Sequence, residues 1–252
     1  MRDSPAIDGQ GTVVESMVLI PGGTFRMGSD RHYPEEAPAH RVTVDEFFID
    51  RTPVTNRQFR EFVRATGHVT YAEIPPDPKD YPGAQPHMLY AGSLVFSPPA
   101  RAVDLRDWSR WWQFMKGADW RHPYGPKSSI NVLDNHPVVH VAYSDTLAYA
   151  QWAGKDLPTE AEWEVATRHD LIDDAFGIVW QWTRSAYAPY PGYRPAAGAL
   201  GEYNGKFMIN QMVLRGSSLA TPEGHARTSY RNFFYPPARW QFTGLRLADY
   251  VV

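Results

Sequence analysis

Glu160, Glu162 and Glu164 recur at every second position just after Leu-Pro-Thr, and closely spaced carboxylates are the raw material of general acid and base chemistry. The same residues at a helix N-terminus serve capping and the helix dipole, and that structural assignment is the stronger one. His136 and His140 stand four apart around Pro137-Val138-Val139, which has the look of a strand. At ~3.3 Å per residue their rings would lie over ~13 Å apart, too far to share one metal. His122, in Trp-Arg-His-Pro, and His225, in a loop sequence, are better placed as polar site members. The chain of 252 residues has no cysteine, which excludes disulfides, thiolate metal ligands and cysteine nucleophiles together.

The elements that would position such residues are short. Met17–Ile20 reads as a strand turned by Pro21-Gly22-Gly23, with Thr24–Gly28 alternating as a returning strand. His40–Val44 and Phe47–Asp50 read as an edge-like strand pair. Thr55-x-x-Gln58 is a capping box, Phe59, Phe62 and Val63 share a helix face, and Gly67 ends it. From Tyr71 to Asn135 regular periodicity fails among repeated prolines, and Trp108, Trp111, Trp112 and Trp120 predict a self-packed loop. His136–Val141 predicts an apolar strand. Ser144 predicts the cap of a helix with Leu147, Ala148 and Trp152 inward and Gly154 at its end. Thr159 and Glu162 make a second capping box. Val179–Trp182, Val213–Gly216 and Gly244–Ala248 are strand-like. With 22 Pro, 19 Gly and 14% aromatic residues, the composition predicts rigid loops held by large flat side chains.

Charge and hydropathy exclude whole classes. A net charge of −3 shows no basic excess for nucleic acid and no basic stripe for a membrane surface. No apolar run approaches a bilayer span and the N-terminus has no apolar signal core, so a soluble, cytoplasmic protein is expected. No linker or repeat divides the chain, which predicts one domain over 1–252, with 1–16 a flexible or extended segment.

Met17–Gly28 (MVLIPGGTFRMG), Val54–Asn56, Ala118–Gly125 (ADWRHPYG), His136–Val141 and Trp152–Glu164 (WAGKDLPTEAEWE) resemble, in order and spacing, the formylglycine-generating enzymes of the sulfatase-modifying-factor superfamily. The resemblance implies an α+β fold of the C-type-lectin-like kind, with low regular secondary structure and long loops. Trp180–Arg194, Glu202–Met208 and Tyr230–Ala248 are instead similar to the C-terminal domain of ergothioneine-pathway sulfoxide synthases. Between Arg168 and Leu171 the chain skips a stretch that the first subfamily carries. It therefore reads as a divergent, shortened, recombined or engineered member.

The formylglycine-generating reaction oxidises a peptide cysteine with dioxygen at copper held by two thiolates, and the resemblance puts those ligand positions near Thr221 and Ala226. Neither residue suits Cu(I), so copper is not expected. Sulfoxide synthases hold iron with three histidines of a separate helical domain, so iron would require a metal-binding partner chain. The resemblance implies that this chain retains the substrate-facing wall: Tyr187, Tyr190, Arg194, Arg227, Asn232, Phe234 and Arg239, where Tyr and Arg could grip a carboxylate or thiol-bearing ligand. The same residues also read as a rigid turn and core packing. A family calcium loop maps to Asp174, Gly177, Val179 and Gln181, with Gln181 in place of a glutamate, so at most one weak calcium site is expected. Two functional expectations follow: a non-catalytic member binding a peptide or small thiol-type ligand, and an oxygen-dependent sulfur enzyme completed by a partner.

Overall fold

The computed structural model describes residues 6–7, 13–14, 16–104, 106–195, 198 and 208–250. Within 1–16, β1 (Ala6–Ile7) and β2 (Val13–Val14) pair antiparallel. β3 (Met17–Ile20) does not form a hairpin with β4 (Gly23–Met27). β4 pairs with β5 (His40–Val44), while β6 (Phe47–Asp50) is the centre of a three-stranded sheet, β13 (Ala248–Tyr250)–β6–β3. Phe47 and Ile49 are buried there, so β6 is not the edge strand its sequence suggests. The reason is non-local: its second neighbour comes from the far end of the chain.

Local signals do fix the helices. In α1 (Asn56–Thr66) the Thr55 amide donates to Gln58 Oε1 at 2.8 Å, and Gly67 stops the helix at φ 69°. In α3 (Glu160–Arg168) the Thr159 amide donates to Glu162 Oε2 at 2.7 Å. α2 (Tyr143–Ala153) ends at Gly154, φ 67°, but Ser144 is not its cap. Asp145 Oδ2 instead accepts from the Ala142 amide at 2.9 Å. Its inward face is also different from the expected one. Tyr149 and Ala150 pack into the core, and Leu147 and Trp152 are 40% and 41% exposed. Tyr149 wins the inward place because its ring stacks on Phe59, 5.8 Å between centroids, and meets Phe62 edge-on.

The proline-rich stretch is partly regular. β7 (Gly92–Phe96) and β8 (Trp112–Lys116) form an antiparallel hairpin, and β7 bridges to Trp240 of the chain's end. The predicted tryptophan cluster divides: Trp120 is in the core with Phe59, whereas Trp108 is 56% exposed. His136–Val141 is not a strand but a bridge from Pro137 to Thr55 and then an irregular run, with His140 at φ 61°. Beyond the helices, β9 (Trp180–Ala186), β10 (Met212–Gly216), β11 (Asn232–Phe234) and β12 (Thr243–Leu245) make a sheet in the order β11–β10–β9–β12, with β12 parallel to β9. One core, around Trp182, Leu214 and Leu245, lies under this sheet; a second, around Ile20, Ile49 and Trp163, joins α3 to the β6 sheet. Among the described residues no helix is long and apolar enough to cross a membrane.

Candidate functional site

A cavity of about 250 Å³ opens where the proline-rich stretch meets the last third of the chain. Trp108, Trp111 and Trp112 line one side. Trp180 of β9, Phe234 of β11 and the Trp240–Phe242 turn line the other. Trp112 packs edge-on against Trp240 at 5.1 Å, so the two sides touch at the base. Ser218, Asn232 and Thr243 are the polar members of the lining, and no charged side chain contributes to it. The Thr243 hydroxyl is engaged with the Val141 and Trp240 carbonyls at 3.2 and 3.0 Å. Ser218 Oγ accepts from the Ala220 amide at 3.2 Å. Asn232 Oδ1 accepts from the Phe233 amide at 3.0 Å, and the side-chain NH2 makes no hydrogen bond among the described residues. The cavity is therefore an aromatic slot whose spare donors include the Asn232 amide and the Trp240 indole N–H.

Thr221, near which the resemblance puts a copper ligand, follows Ser218 of this lining. Its hydroxyl accepts from the Ser218 amide at 3.0 Å, which leaves it as a turn-forming group. Ala226 is exposed. Neither side chain is a ligand for a soft metal, so copper does not fit here.

Behind Trp180 lies a charged layer that spacing did not reveal. The Tyr230 ring sits 5.4 Å from the Trp180 indole and 4.9 Å beneath the Arg227 guanidinium. Arg227 forks onto Glu36, which also accepts from Ser229 Oγ at 2.7 Å. Burial would raise the Glu36 carboxyl, but the Arg227 and Ser229 hydrogen bonds hold it below its ordinary value. Arg231 forks onto Glu160 at 2.9 and 2.9 Å. Arg215, fully buried, pairs with Glu164, which also accepts from Arg168 at 2.7 Å and the Gly28 amide at 3.0 Å. Capping and the helix dipole thus explain Glu162 alone. Glu160 and Glu164 are placed by guanidinium partners that come from β10 and the segment beyond it.

The structure separates the predicted wall residues. Asn232 and Phe234 line the aromatic cavity. Tyr187 is buried, stacked on Phe233 at 4.0 Å, and Tyr190 is buried with its ring 4.0 Å from the Arg231 guanidinium. Burial holds both phenols neutral by raising them well above the ordinary range, and Tyr230 is pushed up to about 12. Arg227 is committed to Glu36. Arg239 donates to the Gly92 carbonyl at 3.0 Å and lies over Tyr71 and Phe114, bracing the hairpin. Arg194 is exposed outside the cavity lining. His225 packs against Tyr230 at 4.8 Å, and the His122 ring reaches the Ser128 carbonyl at 2.6 Å.

Gln181, one of the residues of the expected calcium loop, is paired with a cation. Gln181 Oε1 accepts from Trp163 Nε1 at 2.8 Å and Arg246 Nε at 2.9 Å, and its amide donates to the Asp174 carbonyl. Arg246 also takes the carbonyls of Asp50, Arg51 and Asp173. Burial lowers its pKa to about 10, so the guanidinium stays charged at neutral pH. With a fixed cation on Gln181 Oε1, that oxygen is not free to take calcium. Among the described residues no group of three or more His, Cys, Asp or Glu is placed to hold a metal.

The chain is similar to formylglycine-generating enzymes and, over nearly its whole length, to a hercynine oxygenase. A family model for the sulfatase-modifying factor enzyme 1-like domain matches residues 4–171. The formylglycine-generating enzyme of Mycobacterium tuberculosis is 58% identical over 156 residues, 62% of this chain and 52% of that protein. An inactive C-alpha-formylglycine-generating enzyme 2 of Mus musculus is 42% identical over 176 residues, 66% of this chain and 50% of that one. The hercynine oxygenase of Mycolicibacterium smegmatis is 29% identical over 299 residues, covering 97% of this chain and 63% of that protein. The chain thus spans about half the length of the formylglycine-generating relatives it matches. Among solved structures, PvdO from Pseudomonas aeruginosa superposes with a TM-score of 0.52 at 22% identity over 93% of this chain and 94% of that one, a likeness of fold.

Proposed function

This chain belongs to the sulfatase-modifying factor enzyme 1-like family, and from that premise we propose that it is a binding member which takes a small sulfur-containing ligand, free or within a peptide, into the tryptophan-walled cavity. One observation carries the reading: the lining is aromatic and uncharged, with the Asn232 amide and the Trp240 indole N–H as spare donors. Sulfur is polarisable and favours the edges of aromatic rings by ~0.3–1.5 kcal/mol per contact, and the amide would orient one ligand oxygen. Cysteine oxidation on copper is not part of the proposal, because the chain brings no thiolate. The test is tryptophan fluorescence titrated with cysteine and with a cysteine-containing peptide. Saturable quenching that weakens about tenfold in both Trp112→Ala and Asn232→Ala is expected. No saturation with either probe would sink the reading.

The hercynine oxygenase match over 97% of the chain favours a second reading. Here the cavity would be one wall of an oxygen-dependent sulfur enzyme of the sulfoxide-synthase type, with the iron held by a separate metal-binding chain. Asn232 and Phe234 would then hold substrate. Oxygen consumption with hercynine and a thiol, in the presence of an iron-loaded helical partner, tests it; a rate equal to that of the partner alone would reject it.

A further inference from the structure

A larger cavity, about 620 Å³, lies between α1 and the loop of residues 120–134. Its floor is apolar: Val63 and Ile130 line it, as does Trp120, which is 1% exposed. The indole N–H of Trp120 makes no hydrogen bond among the described residues. The walls carry cations. Arg60 and Arg64, four apart, fall on one face of α1, and Arg121 faces them from the loop. Arg121 is already oriented, its guanidinium 4.3 Å over the Trp120 ring and tied to Glu73 at 2.5 Å. Asp134 is the one carboxylate in the lining, and it is committed to Arg60 at 2.8 Å. Arg64 is exposed and makes no ion pair among the described residues. The walls therefore hold more guanidinium charge than carboxylate charge over an apolar floor.

We propose that this groove binds the phosphate of a small phosphorylated molecule, with Arg64 and Arg121 as the anion's ligands and the Trp120–Ile130 floor under its organic part. Guanidinium groups match phosphate oxygens in pairs, and a guanidinium held in advance by Glu73 and an indole loses little freedom on binding. The size suits a small metabolite. The site is separate from the aromatic cavity and stands whether or not that cavity takes a sulfur ligand.

The experiment is an NMR titration of the full chain at fixed ionic strength with inorganic phosphate, glycerol 3-phosphate and citrate, read at the Trp120 indole N–H. Saturable shifts with both phosphates are expected, tighter for glycerol 3-phosphate, and weakened about tenfold in Arg64→Ser, an exposed change that leaves the fold intact. Arg121→Lys should weaken binding too while keeping the charge. Absence of saturable phosphate binding, equal affinity in Arg64→Ser, or tighter binding of citrate than of glycerol 3-phosphate would each overturn the proposal.

Discussion

The helices α1, α2 and α3 all lie before Leu171, and each begins on a cap within three residues of its start, while glycines stop α1 and α2. The strands after Leu171 have no such independence. β12 runs parallel to β9, β13 pairs with β6 from the opposite end of the chain, and Trp240 bridges to Leu94. Charge follows the same division. Glu36, Glu160 and Glu164 come from the first region, and their partners Arg227, Arg231 and Arg215 come from the second. Each region would be left with buried, uncompensated charge without the other, so the ion pairs couple the two. The aromatic cavity forms at the same seam, with walls from both sides.

Removing a carboxylate across the seam should break this coupling most severely. Glu164→Ala strands the fully buried Arg215, and a loss of ~3–5 kcal/mol in urea unfolding is expected. Replacing Arg215 with Leu in the same chain should recover a large part of that loss. A single variant that loses under about 1 kcal/mol would show that the regions are joined by packing and not by charge.

Acid should expose a non-local anchor inside the first region. His140 is buried, with its ring nitrogens 2.7 Å from Ser93 Oγ and 2.9 Å from the Pro123 carbonyl, and burial lowers its pKa to about 4. The unfolded chain takes up this proton near pH 6.5, while the folded chain resists until about pH 4. Stability from this group is therefore full above pH 6.5 and falls as pH drops toward 4, by up to about 3 kcal/mol. Melting temperature followed across that window should fall, and His140→Asn, which suits the positive φ, should flatten the slope.

Local signals should matter less. Thr159→Ala removes the cap of α3 and is expected to cost about 1 kcal/mol, well below the Glu164 variant. Smallest of all, Arg106→Ala breaks only an exposed pair with Asp104 and should leave the urea midpoint unchanged. A larger shift there would show that the Arg106–Asp104 pair does more than its exposure allows.

Legibility in the sequence follows the same line. Thr55-x-x-Gln58, Thr159-x-x-Glu162, Gly67 and Gly154 announced their elements because a cap is a contact between residues a few positions apart. The family and fold were legible from motifs such as LPTEAEWE, and so was the absence of a thiol. Ser144, Leu147 and Trp152 misled because Asp145 and Tyr149 find their partners on other segments, Tyr71 and Phe59 among them. Nothing in the spacing of Asn232 and Phe234 distinguishes them from Tyr187 and Tyr190, which the fold buries.

By itself, then, the sequence determined the family, the capping boxes of α1 and α3, the glycine stops of α1 and α2 and the absence of any thiolate, all of which are properties of residue identity or of near neighbours. Which glutamates are buried, which strand is central, and that three tryptophans of a proline-rich loop meet Trp180 and Trp240 around one cavity were decided by tertiary structure. The physical reason is that desolvation and ring packing depend on what arrives from more than a hundred residues away, as Arg231 reaching Glu35 and Arg227 reaching Glu36 do here.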